Sequence, residues 1–265
     1  MSGKQKHFSL KSNKTQPWRK IPKWLLPIVV ILLVILIYFI AQYVASFILS
    51  LYALSRGWNA ATANNWLNQS ITGQFFFILI FEGCGVGLVW LLMHRYGKSL
   101  ATLGLKRLRL RDVGYALLAY PVYLILFIIA IKIVQVIFPS FNLNQGQNIG
   151  FNSVHGAYQM TLTFFSLVVL PPFAEELLFR GLLFEGLKKS MPVIYAGLLT
   201  SALFAVAHLP EGTSGLFWVG AIDVFILSLV LVYLKQKTKS LWPGIFLHAF
   251  KNLIAFISLF LLTNR

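Results

Sequence analysis

The sequence predicts an all-α, polytopic membrane protein of about seven transmembrane helices, with the N-terminus inside and the C-terminus outside. Three observations carry that reading. Of 265 residues, 58% are hydrophobic and only 11% are charged, against about 25% charged residues in a soluble domain. The apolar residues fall in runs long enough to cross a bilayer, which takes about 20 residues per helix. The 23 Lys and Arg, against 7 Asp and Glu, alternate between crowded loops and empty ones. A soluble globular enzyme is excluded. So is a nucleic-acid-binding protein, which would spread its basic residues over a water-exposed face.

The spans follow in order: 24–51, 71–93, 113–138, 158–185, 192–209, 216–234 and 241–262. The first follows basic residues, as a signal peptide does, but its apolar run far exceeds the roughly 7–15 residues of a signal core. It reads as a retained anchor. The second contains Gly83 and Gly87, a GxxxG pattern that reads as helix packing. The fourth is interrupted by Pro171 and Pro172, whose missing N–H groups leave carbonyls that need protein or water partners at membrane depth. The single Cys84 rules out a disulfide framework or a cysteine zinc site.

Loop charge sets the orientation. Seven basic residues precede the first span, from Lys4 to Lys23. The second loop adds Arg95, Lys98, Lys106, Arg107, Arg109 and Arg111, the fourth Lys188 and Lys189, and the sixth Lys235, Lys237 and Lys239. The opposite side has only Arg56 and Arg265, and the loop 139–157 has no Lys or Arg. Basic loops stay cytoplasmic. The excess of +16 is therefore a topology signal and an attraction for anionic lipid. Three regions result: a basic cytoplasmic tail 1–23, N-terminal transmembrane helices over 24–157, and a C-terminal helix bundle over 158–265.

Charged groups inside a bilayer are costly and mark function. The first three spans offer only Glu82 and Lys132, each of which reads as packing against a polar neighbour. The later spans hold the rest, so chemistry is expected within 158–262. In PPFAEELLFRGLL, Glu176 and Arg180 stand four apart with Glu leading, the favourable order for an ion pair. Glu175 lies about 100° round the helix from Glu176. Arg180 neutralises one Glu and leaves the other free to hold a proton or water. A single Glu–Arg pair would suit a polar staple between helices, but two Glu with one Arg leave a carboxylate over. Phe204 and His208 share a helix face at i and i+4, as do His248 and Asn252. Taken alone, either pair also reads as structural. Asp223 and Lys251 fall at similar depth by linear counting and are expected to pair.

Together, EExxxR, FxxxH and HxxxN on successive spans resemble the CAAX prenyl endopeptidase type 2 family. It is also called CPBP or Abi, for CAAX proteases and bacteriocin-processing enzymes. The likeness runs from about Pro171 to Leu253 and includes LLFRGLL and SLWPGIFLHAFKN. It implies an intramembrane endopeptidase with a catalytic helix bundle. By that resemblance, Glu175 and His208 hold and activate water, His248 and Asn252 stabilise the oxyanion, and Glu176 and Arg180 fix the site. Which Glu is the base stays open.

No cofactor is required by this reading, although the family is described both as a metalloprotease and as a Glu-dependent protease. A divalent metal such as zinc would take Glu175, His208 and His248, a known catalytic ligand set. The HExxH spacing of helical zinc proteases is absent. The implied partners are membrane lipids and a membrane-associated or lipidated peptide substrate, with no nucleic acid. The location is an integral multi-pass one: the plasma membrane in a bacterium, the endoplasmic reticulum in a eukaryote. Two other classes remain. A non-proteolytic scaffold or bacteriocin-immunity protein would keep the fold without needing the four polar residues together. A transporter would use the acidic pair as a proton relay, but inverted repeats are absent.

Linear depth does not bring the site together. At 1.5 Å per residue, Glu175 comes out roughly 20 Å from the cytoplasmic end, His208 roughly 24 Å and His248 roughly 12 Å. Tilt or a break at the proline pair is needed to close the gap.

Overall fold

A computed structural model describes residues 21–151 and 154–262. Most of the basic tail and Arg265 lie outside the described residues. Seven helices among those described are long and apolar enough to cross a membrane, and the chain is an integral, multi-pass membrane protein. The helices are α1 (Leu26–Ser55), α2 (Ala60–Gln69), α3 (Ile71–Arg95), α4 (Leu110–Ile137), α5 (Gly156–Leu187), α6 (Val193–Ala207), α7 (Trp218–Thr238) and α8 (Trp242–Leu262). All but α2 are candidate spans. The amphipathic α2 is a short surface helix, capped by Asn59 Oδ1, which accepts from the Thr62 N–H at 2.8 Å. Asp112 caps α4 by accepting from the Arg109 N–H at 3.0 Å.

Both ends of the bundle are tied by polar contacts. At one end the basic loops meet. Glu185 pairs with Lys188 at 3.1 Å and with Lys235 at 3.2 Å. Leu241 N–H donates to the Gly104 carbonyl, and Trp242 Nε1 to that of Lys106. Gly104, at φ +105°, has the Lys235 ammonium where a Cβ would stand, so only glycine fits there. At the other end, the loop after α4 lies across the loop after α6. Asn148 N–H donates to the Glu211 carbonyl at 2.6 Å, and Thr213 N–H to that of Gly146 at 3.0 Å.

α7 is the most enclosed span. Ser228 donates to Ser201 of α6 at 2.8 Å, and a Cβ on Gly197 would come within 2.9 Å of Val232. Asp223 meets Lys251 of α8 at 2.9 Å and accepts from Tyr123 of α4, so the expected pair is present. α1 buries Val30, Val34, Ile37, Ala41 and Ala45 and turns Leu32, Leu36, Phe39 and Tyr43 outward. Both faces are apolar, since lipid and protein core make the same demand. The GxxxG of α3 is not used for packing within this chain. Gly83 and Gly87 are exposed, and a Cβ on either would meet nothing within 4 Å.

Two local features place the site. α6 has 15 residues, about 22 Å at 1.5 Å per residue, which falls short of the ~30 Å hydrocarbon core. Its regular turns stop at Ala207, and a short 3₁₀ turn, Leu209–Glu211, carries the span on to the loop. α5 does not break at its prolines. It runs on through two wide π turns, Phe165–Val169 and Glu176–Leu183. The first closes with Leu170 N–H on the Phe165 carbonyl. A π turn rotates the following residues relative to a regular helix and is common at functional sites.

Candidate functional site

Span α5 supplies the acidic pair. Glu176 is 1% exposed and Arg180 is fully buried, and Arg180 Nη1 donates to Glu176 Oε1 at 2.8 Å. The guanidinium carbon lies 4.3 Å from the centre of the Phe204 ring. Arg180 Nε and Nη2 have no hydrogen-bond acceptor among the described residues, and the ring face supplies a weaker cation–π substitute. Gly244 of α8 makes room for this arrangement, since a Cβ there would come within 2.8 Å of Glu176 Oε2.

His248 of α8 stands between the two carboxylates. Its Nδ1 is 3.4 Å from Glu176 Oε1 and its Nε2 is 3.8 Å from Glu175 Oε2. The Phe204 ring meets it edge-on at 5.9 Å. Glu175 Oε2 and His248 Nδ1 are buried without a hydrogen bond within the normal limits. That leaves a carboxylate and an imidazole facing each other with room for a small relaxation.

Glu175 and His208 line one cavity of about 220 Å³. His208 caps α6 where that helix ends early. Its Nδ1 lies 2.8 Å from the Phe204 carbonyl, which can only accept, so Nδ1 carries the proton and Nε2 is the variable atom. Glu211 Oε1 is 3.9 Å from that Nε2, and Glu211 Oε2 accepts from Gln147 at 2.8 Å.

The cavity's lining extends beyond residues 158–262. Tyr38 of α1 and Glu82 of α3 line it beside Glu175, so Glu82 is not an isolated polar residue. A lone Glu on a motif-free span gave no sequence signal beyond its cost in the membrane. Glu211 also lines the cavity.

Asn252 shares a helix face with His248, and neither lines the cavity. Its Nδ2 donates to the Leu167 carbonyl at 2.9 Å. In a regular helix that carbonyl would accept from residue 171, and in a π turn from residue 172. Both are prolines. Asn252 thus satisfies the carbonyl that the proline pair strands.

The zinc set does not fit. Glu175 and His248 approach each other, but the Nε2 of His208 is turned to Glu211 instead. Among the described residues, no three His, Cys, Asp or Glu stand close enough to hold a metal ion.

No curated protein and no solved structure matches the chain. A family match does exist, and it begins in the first turn of α5 and ends two residues before Phe256 of α8, covering residues 157–254. That stretch contains both carboxylates, the early end of α6 and the imidazole between the acids. Residues 157–254, the part of the chain that holds these side chains, match the model of the Type II CAAX prenyl endopeptidase Rce1-like family.

Proposed function

We infer that this protein is an intramembrane endopeptidase that hydrolyses a peptide bond of a membrane-associated substrate with Glu175 as the base. The carrying observation is that Glu175 and His208 line one small cavity inside the bundle, with His248 3.8 Å behind Glu175. The choice between the acids rests on their surroundings. Glu176 is bound to Arg180 and fully enclosed, whereas Glu175 is 24% exposed and reaches the cavity.

In this reading Glu175 accepts a proton from water as the oxygen attacks the scissile carbonyl carbon. His248 steadies the Glu175 carboxylate and is itself oriented by Glu176, the three-member logic of an activated nucleophile. His208, protonated on Nε2 and faced by Glu211, donates to the leaving nitrogen as the C–N bond breaks. The proton on Glu175 then returns to His208. A low-dielectric cavity strengthens each of these interactions. Asn252 acts through the α5 backbone, holding Glu175 in register. The basic end faces the cytoplasm, so the N-terminus lies inside and the C-terminus outside.

The test is cleavage of a bilayer-anchored peptide carrying a prenylated cysteine by the purified, reconstituted protein. Native protein should release the C-terminal fragment, and Glu175→Gln and His208→Ala should each abolish release while leaving the protein folded. Unchanged cleavage in both variants would refute the assignment.

A further inference from the structure

A second, larger cavity adjoins the first. Its volume is about 600 Å³, within the ~300–1,000 Å³ of small-ligand sites. It lies among α1, α2, α3 and the loop after α4, and five side-chain amides line it: Gln42, Asn68, Gln69, Gln74 and Asn148. The sequence around it is free of charge. No Asp, Glu, Lys or Arg occurs over residues 57–81 or 133–174.

The five amides are not alike. Gln74 is engaged at both atoms, donating to the Asn68 carbonyl at 2.6 Å and accepting from Phe151 N–H at 2.8 Å. It ties α2 and the loop to α3 and so fixes the cavity's shape. Gln42, Asn68 and Gln69 have no side-chain hydrogen bond to protein among the described residues. Asn148 uses only its oxygen, in a long contact with Gly150 N–H at 3.4 Å.

Helix spacing gives the cavity's place relative to the catalytic one. Gln42 follows Tyr38 by one turn on α1, and Ile78 precedes Glu82 by one turn on α3. Asn148, on its wall, donates its backbone N–H to the Glu211 carbonyl on the wall of the other. The two cavities therefore lie end to end along the α1–α3 seam, about 5.4 Å apart. That offset is about two residues of extended chain.

We propose that the amide-lined cavity is a substrate subsite that grips an uncharged, extended peptide segment beginning about two residues from the scissile bond. This rests on the endopeptidase reading. An extended peptide offers one donor and one acceptor per residue, and a side-chain amide offers both. Matching amides to backbone gives recognition without charge. A charged side chain entering the cavity would give up part of its hydration to a lining that holds no Asp, Glu, Lys or Arg.

The experiment uses the full chain in detergent micelles with quenched fluorogenic peptides of uncharged sequence. A single Asp or Lys is walked along them. On native protein, a charge about two to five residues from the scissile bond, on one side only, should raise KM at least ~10-fold, because its lost hydration goes uncompensated. Gln42→Ala and Asn148→Ala should raise KM more than they lower kcat. Asn148→Asp should make the Lys-bearing peptide preferred over the Asp-bearing one, which a merely structural role for Asn148 would not do. A flat charge scan, or an unchanged ranking in Asn148→Asp, in protein that still cleaves overturns the subsite and leaves the endopeptidase standing. If native protein cleaves none of the peptides, the endopeptidase reading fails on them, and anisotropy of a labelled uncharged peptide on Glu175→Gln protein decides the subsite. Binding weakened by Gln42→Ala supports it. Absent binding, or retention of chitotetraose in place of peptide, overturns it.

Discussion

The Asn252 side chain donates to the Leu167 carbonyl at 2.9 Å, and Leu167 is followed at both i+4 and i+5 by proline. A polar residue near the candidate site thus has a backbone duty. Stranding a carbonyl that is shielded from water costs about 1–3 kcal/mol, and the Leu167 carbonyl is partly buried. Asn252→Ala should lower unfolding stability in detergent by about that amount. Pro171→Ala in the same chain should recover part of it, because it returns an N–H four residues after Leu167. No recovery in the double variant would mean that Asn252 works otherwise.

Gly244 and Glu176 make a similarly narrow fit. A methyl at position 244 would stand 2.8 Å from Glu176 Oε2, and the carboxylate would have to leave Arg180 or His248. Gly244→Ala is expected to cost about 1–3 kcal/mol, as overpacking does, and to reduce peptide cleavage beyond what the loss of folded protein explains. Activity per folded molecule is the measurement, and an unchanged value would show that Glu176 can shift harmlessly.

The Glu176–Arg180 pair is buried at both ends. Removing one partner leaves an uncompensated charge, so Arg180→Met should lower stability by about 3–5 kcal/mol. Replacing both residues with Met should restore much of that stability. Cleavage should stay absent, since His248 Nδ1 would have lost the carboxylate 3.4 Å away. Chemical unfolding and peptide cleavage, measured on the same samples, separate the two effects.

Asp223 and Lys251 pair at 2.9 Å with Tyr123 donating to the same carboxylate. None of these three lines the cavity of Glu175 and His208. Asp223→Ala and Lys251→Ala should each lower the unfolding temperature, and Asp223→Lys with Lys251→Asp should recover part of the loss. The recovery is incomplete because Tyr123 keeps its old position. A swap no better than the worse single variant would rule out a direct pair.

Much of this molecule is written in the order of its residues. Helix count follows from run length, because every backbone group in a bilayer must be satisfied within a helix or a closed barrel. The motif residues of α5, α6 and α8 stand out because ionisable groups in apolar runs are costly. Even the stranded Leu167 carbonyl can be read from Pro171 and Pro172, although its partner cannot. Three things were decided only by the fold. Which face of α1 meets lipid is invisible in hydropathy, since hydrocarbon and protein core accept the same side chains. Glu82 joins the cavity because α3 packs against α5, a contact no local pattern encodes. Linear depths for Glu175, His208 and His248 disagree because they assume straight, full-length helices. The π turns of α5 and the early end of α6 break that assumption: Glu175 shares a cavity with His208 and separately faces His248.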